Sequence, residues 1–297
     1  MRIAITGSSG FVGTAAATDL AAAGHEVVRL VRTATPPAGT ARWDPATGAI
    51  DERALGAVDA VLHLAGANIA AGRWTEARKR TIADSRAPVI ERLCRSLAAL
   101  ARRPSVLIGA SGIGIYGDRG DEWLDERSTP GDGFLANVAR AGEAATQAAA
   151  DAGIRVVPMR FGIVLDPSGG ALRRMLRPFR LGVAGRLGNG RQWMSWITLA
   201  DMLRAIRFVL DHQDLRGPVL AVAPEPVTNR EFTRTLAAAL HRPAILPVPA
   251  AALRLLFGEL ADAALLASQR ARPAKLLDAG FEFRHPDLRG ALAAMFA

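Results

Sequence analysis

The first two dozen residues confine this chain more than any other stretch. A short apolar run, Met1-Arg2-Ile3-Ala4-Ile5-Thr6, leads directly into Gly7-Ser8-Ser9-Gly10-Phe11-Val12-Gly13, and alanine-rich residues follow as far as Gly24. A strand, a glycine-punctuated turn and a helix in that order open a βαβ unit. Each glycine has its own task. Gly7 allows the tight turn out of the strand, Gly10 lets the backbone approach a pyrophosphate, and Gly13 lets the helix pack closely. Free N–H groups at the helix start then face the diphosphate charge. Ser8, Ser9, Phe11 and Val12 complete the loop as candidate cofactor contacts. A glycine-rich turn without a ligand can share this spacing, so the strand before it and the helix after it carry the assignment.

The same alternation continues. Strands are expected at Arg2–Thr6, Val27–Arg32, Ala60–Leu64, Ser105–Ala110, Arg155–Arg160 and Val219–Val222, with helical stretches between them. Phe134–Ala152 reads as one helix closed by Gly153. Short apolar strands alternating with helices describe an α/β fold, a Rossmann-type doubly wound parallel sheet covered on both faces. Past Leu165 the character changes. Residues 167–200 are rich in glycine, arginine and tryptophan, contain no acid, and read as a long binding loop. Thr228-Asn229-Arg230-Glu231 has capping-box spacing and should open a helix through Leu240. Asp201 is placed to start another helix, through Leu210. The expected division is a Rossmann core over 1–165, returning at about 196–240. A smaller, mostly helical substrate and cap region would take 166–195 and 241–297.

Composition excludes several classes. No apolar run is long enough to span a bilayer, and no leader of basic and apolar character precedes the first strand. One cysteine, Cys94, excludes an internal disulfide framework or a cysteine-rich metal site. The expected location is cytoplasmic, with no membrane partner and no metal. The net charge of +9 is carried almost wholly by arginine, since Lys79 and Lys275 are the lysines. Without a nucleic-acid-binding motif, this excess implies no specific nucleic-acid partner. It suits anionic small molecules instead.

Nineteen residues after Gly13, the second strand ends in Val31-Arg32-Thr33. A site that prefers NAD generally carries an acid there, on the ribose hydroxyls. A guanidinium suits a 2′-phosphate, so the expected cofactor is NADP(H). An ordinary solvated arginine is the competing reading of Arg32.

Further motifs follow the glycine loop in a fixed order: Leu62-His63-Leu64-Ala65-Gly66-Ala67, Ser111-Gly112-Ile113-Gly114-Ile115-Tyr116-Gly117 and Trp196-Ile197-Thr198-Leu199-Ala200-Asp201. With Arg73-Trp74-Thr75, Arg160-Phe161-Gly162-Ile163-Val164-Leu165, Gly169-Gly170 and Gly280-Phe281, the whole chain resembles the extended short-chain dehydrogenase/reductases. More narrowly, it resembles the atypical epimerase-family branch that ends in a domain of unknown function. The resemblance implies that Leu64, Ala65 and Gly66 line the adenosine and ribose side of the cofactor. It places Arg86 in the cofactor site, and Phe161, Gly162, Ile163 and Val164 beside the nicotinamide. His63, alone at the end of an apolar strand, reads as a packed core residue.

Ordinary members of that superfamily use a Tyr-x-x-x-Lys pair, whose lysine tunes the phenol for proton exchange. Here the one tyrosine, Tyr116, is followed four positions later by Gly120. Phe134-Leu135-Ala136-Asn137-Val138-Ala139-Arg140, where the pair belongs, offers neither residue. Two readings therefore stand. In one, other polar residues act in catalysis, with Tyr116 and Ser111 as acid–base candidates and Asn68, Glu126, Arg191, Gln192 and Trp193 around the substrate. In the other, the protein binds NADP(H) as a sensor and turns nothing over. Arg173, Arg174, Arg177, Arg180, Arg186 and Arg191 sit in the acid-free stretch. They point to a small anionic substrate, or else to a solvated helix face.

Overall fold

Alternation within the first strand puts Ile3 and Ile5 on one side and Ala4 on the other, and both sides are fully buried. A strand apolar on both faces needs helices above and below it. The structure, a computed structural model, describes every residue from Met1 to Ala297 and builds that arrangement. Seven strands, β1 (Arg2–Thr6), β2 (Glu26–Val31), β3 (Thr40–Arg42), β4 (Ala60–His63), β5 (Val106–Gly112), β6 (Arg155–Phe161) and β7 (Val219–Ala221), lie in the order β3-β2-β1-β4-β5-β6-β7. All six pairings are parallel. The sheet is the doubly wound Rossmann type expected.

Helices Phe11–Ala22 and Leu199–Asp211 cover one face, where Ala16, Ala17, Leu20, Met202, Ala205, Ile206 and Val209 meet Ile3, Ile5, Leu62 and Ile108. Helix Ala87–Ala99 covers the other, packing Ile90, Leu93, Cys94 and Leu97 on Ala4, Val28, Val61 and Leu107. The six expected strands are all present, with ends displaced by at most two residues. The short β3 is additional.

Three expectations need correction. Residues 167–200 are not one loop, because Gly170–Arg180 forms a helix with Leu172, Leu176 and Phe179 buried. Those three recur at helical spacing on one face, while the arginines between them obscure the pattern. Phe134–Ala152 is two helices, Phe134–Ala144 and Gln147–Asp151. The Thr146 hydroxyl donates to the Glu143 carbonyl at 2.7 Å and occupies a backbone acceptor at the break. Asp201 stands in the first turn of its helix, where its carboxylate suits the dipole as expected, but the cap is Thr198, its Oγ1 accepting from the Asp201 amide at 3.0 Å. The Thr228 cap forms as expected, Oγ1 accepting from the Glu231 amide at 3.2 Å.

The segment beyond His241 is stitched to the loops that leave the sheet. Val248 donates its amide to the Arg186 carbonyl at 2.9 Å, and Arg270–Ala271 pairs with Trp123–Leu124. Leu276 and Phe281 enter the main core, while Leu288, Ala291 and Leu292 help build a third core with Leu172, Trp196 and Phe232. No helix is long and apolar enough to cross a membrane. No group of three or more His, Cys, Asp or Glu side chains is placed to hold a metal.

Candidate functional site

Strand order reverses between β1 and β4, so the loops leaving these two strands diverge and bound a crevice at the carboxyl edge of the sheet. Gly7 turns there with φ at +68°. A β-carbon on it would lie 2.6 Å from the Leu64 carbonyl carbon, so the two loops touch backbone to backbone. Gly13 is more constrained, since its β-carbon would meet the Gly7 carbonyl oxygen at 2.1 Å. The helix that starts at Phe11 has no side-chain cap on Gly10 and no acid in its first turn. Its positive end is left for an anion. Ser9 and Gly10 are exposed on this loop, Phe11 and Val12 half-buried, and Ser8 buried. The Phe11 ring leaves no room for side chains above it, as β-carbons at Gly169 and Gly170 would approach it to 2.2 and 2.9 Å.

Arg32 stands exposed just beyond β2. Leu64, Ala65 and Gly66 continue β4 into the crevice, Leu64 leaning on one core and Ala65 on the other. Arg86 lies beneath this loop. Its guanidinium donates to the carbonyls of Ala67 (3.2 Å) and Ile82 (3.0 Å), so its hydrogen bonds already brace backbone. Phe161 ends β6, Gly162 packs on the Ser195 carbonyl, and Ile163 and Val164 pair with Trp196 and Ile197. His63 is a core residue. Its Nδ1 lies 2.8 Å from Thr6 Oγ1, its ring meets Trp43 edge-on, and burial pushes its pKa down to about 4.

The expected acid–base candidates separate. Tyr116 is fully buried; its hydroxyl donates to the Asp125 carbonyl at 2.8 Å and accepts from Arg160 Nη1 at 2.8 Å. Burial, only partly offset by Arg160, pushes the phenol up to about 12. This corrects the expectation for Tyr116, because the phenol is enclosed and its hydroxyl is already engaged as donor to Asp125 and as acceptor from Arg160. Ser111 is only half-buried and donates to Glu143 Oε1 at 2.7 Å. Glu143 in turn accepts two bonds from Arg160, at 2.9 and 2.8 Å. Glu143 and Arg160 were missing from the acid–base candidates. One signal was available: an arginine inside the apolar strand Arg155–Phe161 demands a buried partner.

On the side where substrate contacts are expected, Asn68 is exposed and folds its own turn, Oδ1 accepting from the Ala70 amide at 2.9 Å. Arg174 reaches the same turn, donating to the Ala70 carbonyl at 2.6 Å. Glu126 is corrected from substrate contact to internal brace. Buried, with its pKa raised by desolvation, it accepts from the amides of Leu220 (3.0 Å) and Lys275 (3.3 Å). Gln192 is likewise buried and donates to the carbonyls of Leu187 (3.2 Å) and Leu265 (3.0 Å). Arg191 is exposed, and Trp193 is half-buried with its Nε1 donating to Asp121 at 2.7 Å.

Comparison with known proteins finds similarity along the whole chain. Residues 3–223 match the NAD dependent epimerase/dehydratase family, and residues 248–295 match a domain of unknown function, DUF1731. The chain is 45% identical over 290 residues to the epimerase family protein Mb2239 of Mycobacterium bovis, covering 98% of this chain and 96% of that one. It is 36% identical to the Bacillus subtilis epimerase family protein YfhF, covering 100% and 98% respectively. The crystal structure of human epimerase family protein SDR39U1 (isoform 2) with NADPH superposes with a TM-score of 0.91 at 34% identity, covering 99% of both chains.

Proposed function

Because the chain belongs to the NAD dependent epimerase/dehydratase family, we propose that it binds NADP(H) and transfers hydride to or from a small anionic substrate. The observation that carries the reading is the backbone cradle of Gly7, Gly10 and Gly13, where β-carbons would collide and an uncapped helix end faces out. These residues fit a dinucleotide: the cradle takes the diphosphate, and Leu64, Ala65 and Gly66 form the adjacent wall. The human relative solved with NADPH supports the cofactor class. Arg32, exposed and following β2, is the candidate for the 2′-phosphate. Bound NADP(H) would supply or accept the hydride.

The chain's own residues then have to move a proton. Ser111, half-buried, gives its hydroxyl hydrogen to Glu143, which leaves its oxygen lone pairs free to accept. A substrate hydroxyl can donate to that oxygen, and in oxidation its proton passes to Ser111 as the serine proton passes to Glu143. Reduction reverses both transfers. Arg160, itself bonded to the Tyr116 hydroxyl, holds Glu143 in line for this relay.

Titration of NADPH and NADH against wild type and Arg32→Ala tests the cofactor. Wild type should favour NADPH, and the variant should lose about tenfold of that preference, on the order of 1.4 kcal/mol. Equal affinity of wild type for both dinucleotides would refute the Arg32 assignment. The enclosure of Tyr116 favours one second reading, a dinucleotide-binding sensor without turnover. NADPH oxidation with a panel of carboxylated aldehydes and ketones separates the two. Turnover that Ser111→Ala abolishes supports the enzyme.

A further inference from the structure

Arg270 is an arginine held as if for a guest. Its guanidinium carbon lies 4.0 Å from the ring centroid of Trp123 and 4.0 Å from that of Trp193. Both flat faces of the cation are therefore covered by indole. Its Nε is buried without a hydrogen-bond partner. No carboxylate forms an ion pair with it, and Asp121, two residues before Trp123, accepts the Trp193 indole N–H at 2.7 Å. A cation that is stacked, partly desolvated and unmatched by any protein acid favours an external anion. The indoles leave only the edge of the fork open, and that edge matches two oxygens lying in its plane.

The position also suits a ligand. Arg270 sits between Gln269 and Ala271, and the Ser195 hydroxyl is bonded to both neighbours, at 2.8 Å to the Gln269 carbonyl and 2.9 Å to the Ala271 amide. Ser195 is the residue on which Gly162 packs. One residue thus separates Arg270's strand from the segment beside the dinucleotide crevice. We propose that Arg270, clamped between Trp123 and Trp193, is the anchor for the carboxylate of a small-molecule ligand. It rests on the hydride-transfer reading only in treating that ligand as the substrate.

The test uses the full chain, titrated with malonate and separately with inorganic phosphate, followed by calorimetry and tryptophan fluorescence. Malonate should bind wild type saturably and quench or shift the emission of the flanking indoles. Arg270→Gln should weaken malonate binding at least tenfold. Arg270→Lys should keep part of it, because charge survives and the planar fork does not. Arg234→Gln, on an exposed helix position, should bind as wild type does. NADPH affinity should be unchanged in all three variants, showing that each is folded. If the glutamine variant unfolds, the lysine variant decides: full malonate affinity there overturns the proposal. So does malonate binding that survives Arg270→Gln, or a wild type that binds neither anion. Tighter binding of phosphate than of malonate would overturn the carboxylate assignment. Loss of NADPH binding in wild type would instead refute the dinucleotide reading and leave the anion result standing.

Discussion

Single residues set the terms of this site through what they leave out. At Gly13 the missing β-carbon is the feature: any side chain there strikes the Gly7 carbonyl, a backbone atom that cannot swing aside. Gly13→Ala should cost about 2 kcal/mol of stability and at least tenfold in NADPH affinity, measured by thermal denaturation and calorimetry. A variant with wild-type affinity would show that the loop yields. His63 acts through its burial. The imidazole titrates near 6.5 when unfolded and near 4 when folded. Between those values the unfolded chain binds more protons, so stability is full above 6.5 and is lost as pH falls toward 4, by about 3 kcal/mol. His63→Gln should remove that part of the pH dependence. Denaturant melts of both proteins across pH 4 to 7 measure it, and parallel curves would contradict it.

At the scale of elements, the loops were less legible than the helices and strands. Strands β1, β4, β5, β6 and β7 were readable because each is an apolar run buried on both sides, whereas β3, three residues in a polar stretch, has no such signature. The helix Gly170–Arg180 was hidden by four arginines on its outer side. Asp201 shows what an element gains from its neighbours. Fully buried in the first turn of Leu199–Asp211, it accepts the amides of Arg284 (2.8 Å) and His285 (2.9 Å) and pairs with Arg204 at 3.1 Å. Asp201→Asn keeps the shape but loses charge and one acceptor. It should destabilise by about 2 kcal/mol and speed amide exchange in residues 279–297 more than in the sheet. Uniform exchange changes would place its effect elsewhere.

For the whole molecule, the C-terminal segment and the Rossmann sheet share cores. Leu276 and Phe281 lie among the residues of the main core, and Glu126 ties Lys275 to β7. Far-UV circular dichroism and tryptophan fluorescence should therefore report one coincident unfolding transition. A chain ending at Pro247 should lose it and bind a hydrophobic dye, because four hydrophobic clusters would each lose residues. Two separated transitions in the full chain would show independent units instead.

The architecture and the dinucleotide cradle are legible from the residues alone, because both rest on local rules: apolar periodicity, and glycines where a β-carbon cannot fit. His63 was likewise readable as core, since an isolated histidine ending an apolar strand has nowhere else to go. The roles of the polar side chains emerge only once the chain is folded. Tyr116 and Glu126 look available in sequence, yet Arg160 and the Lys275 amide, contributed from distant segments, enclose and occupy them. Ser111 finds Glu143 across 32 residues, and Arg270 meets Trp123 and Trp193 from three separate stretches. Burial and partnership depend on which segments the fold brings together, and no local pattern encodes that.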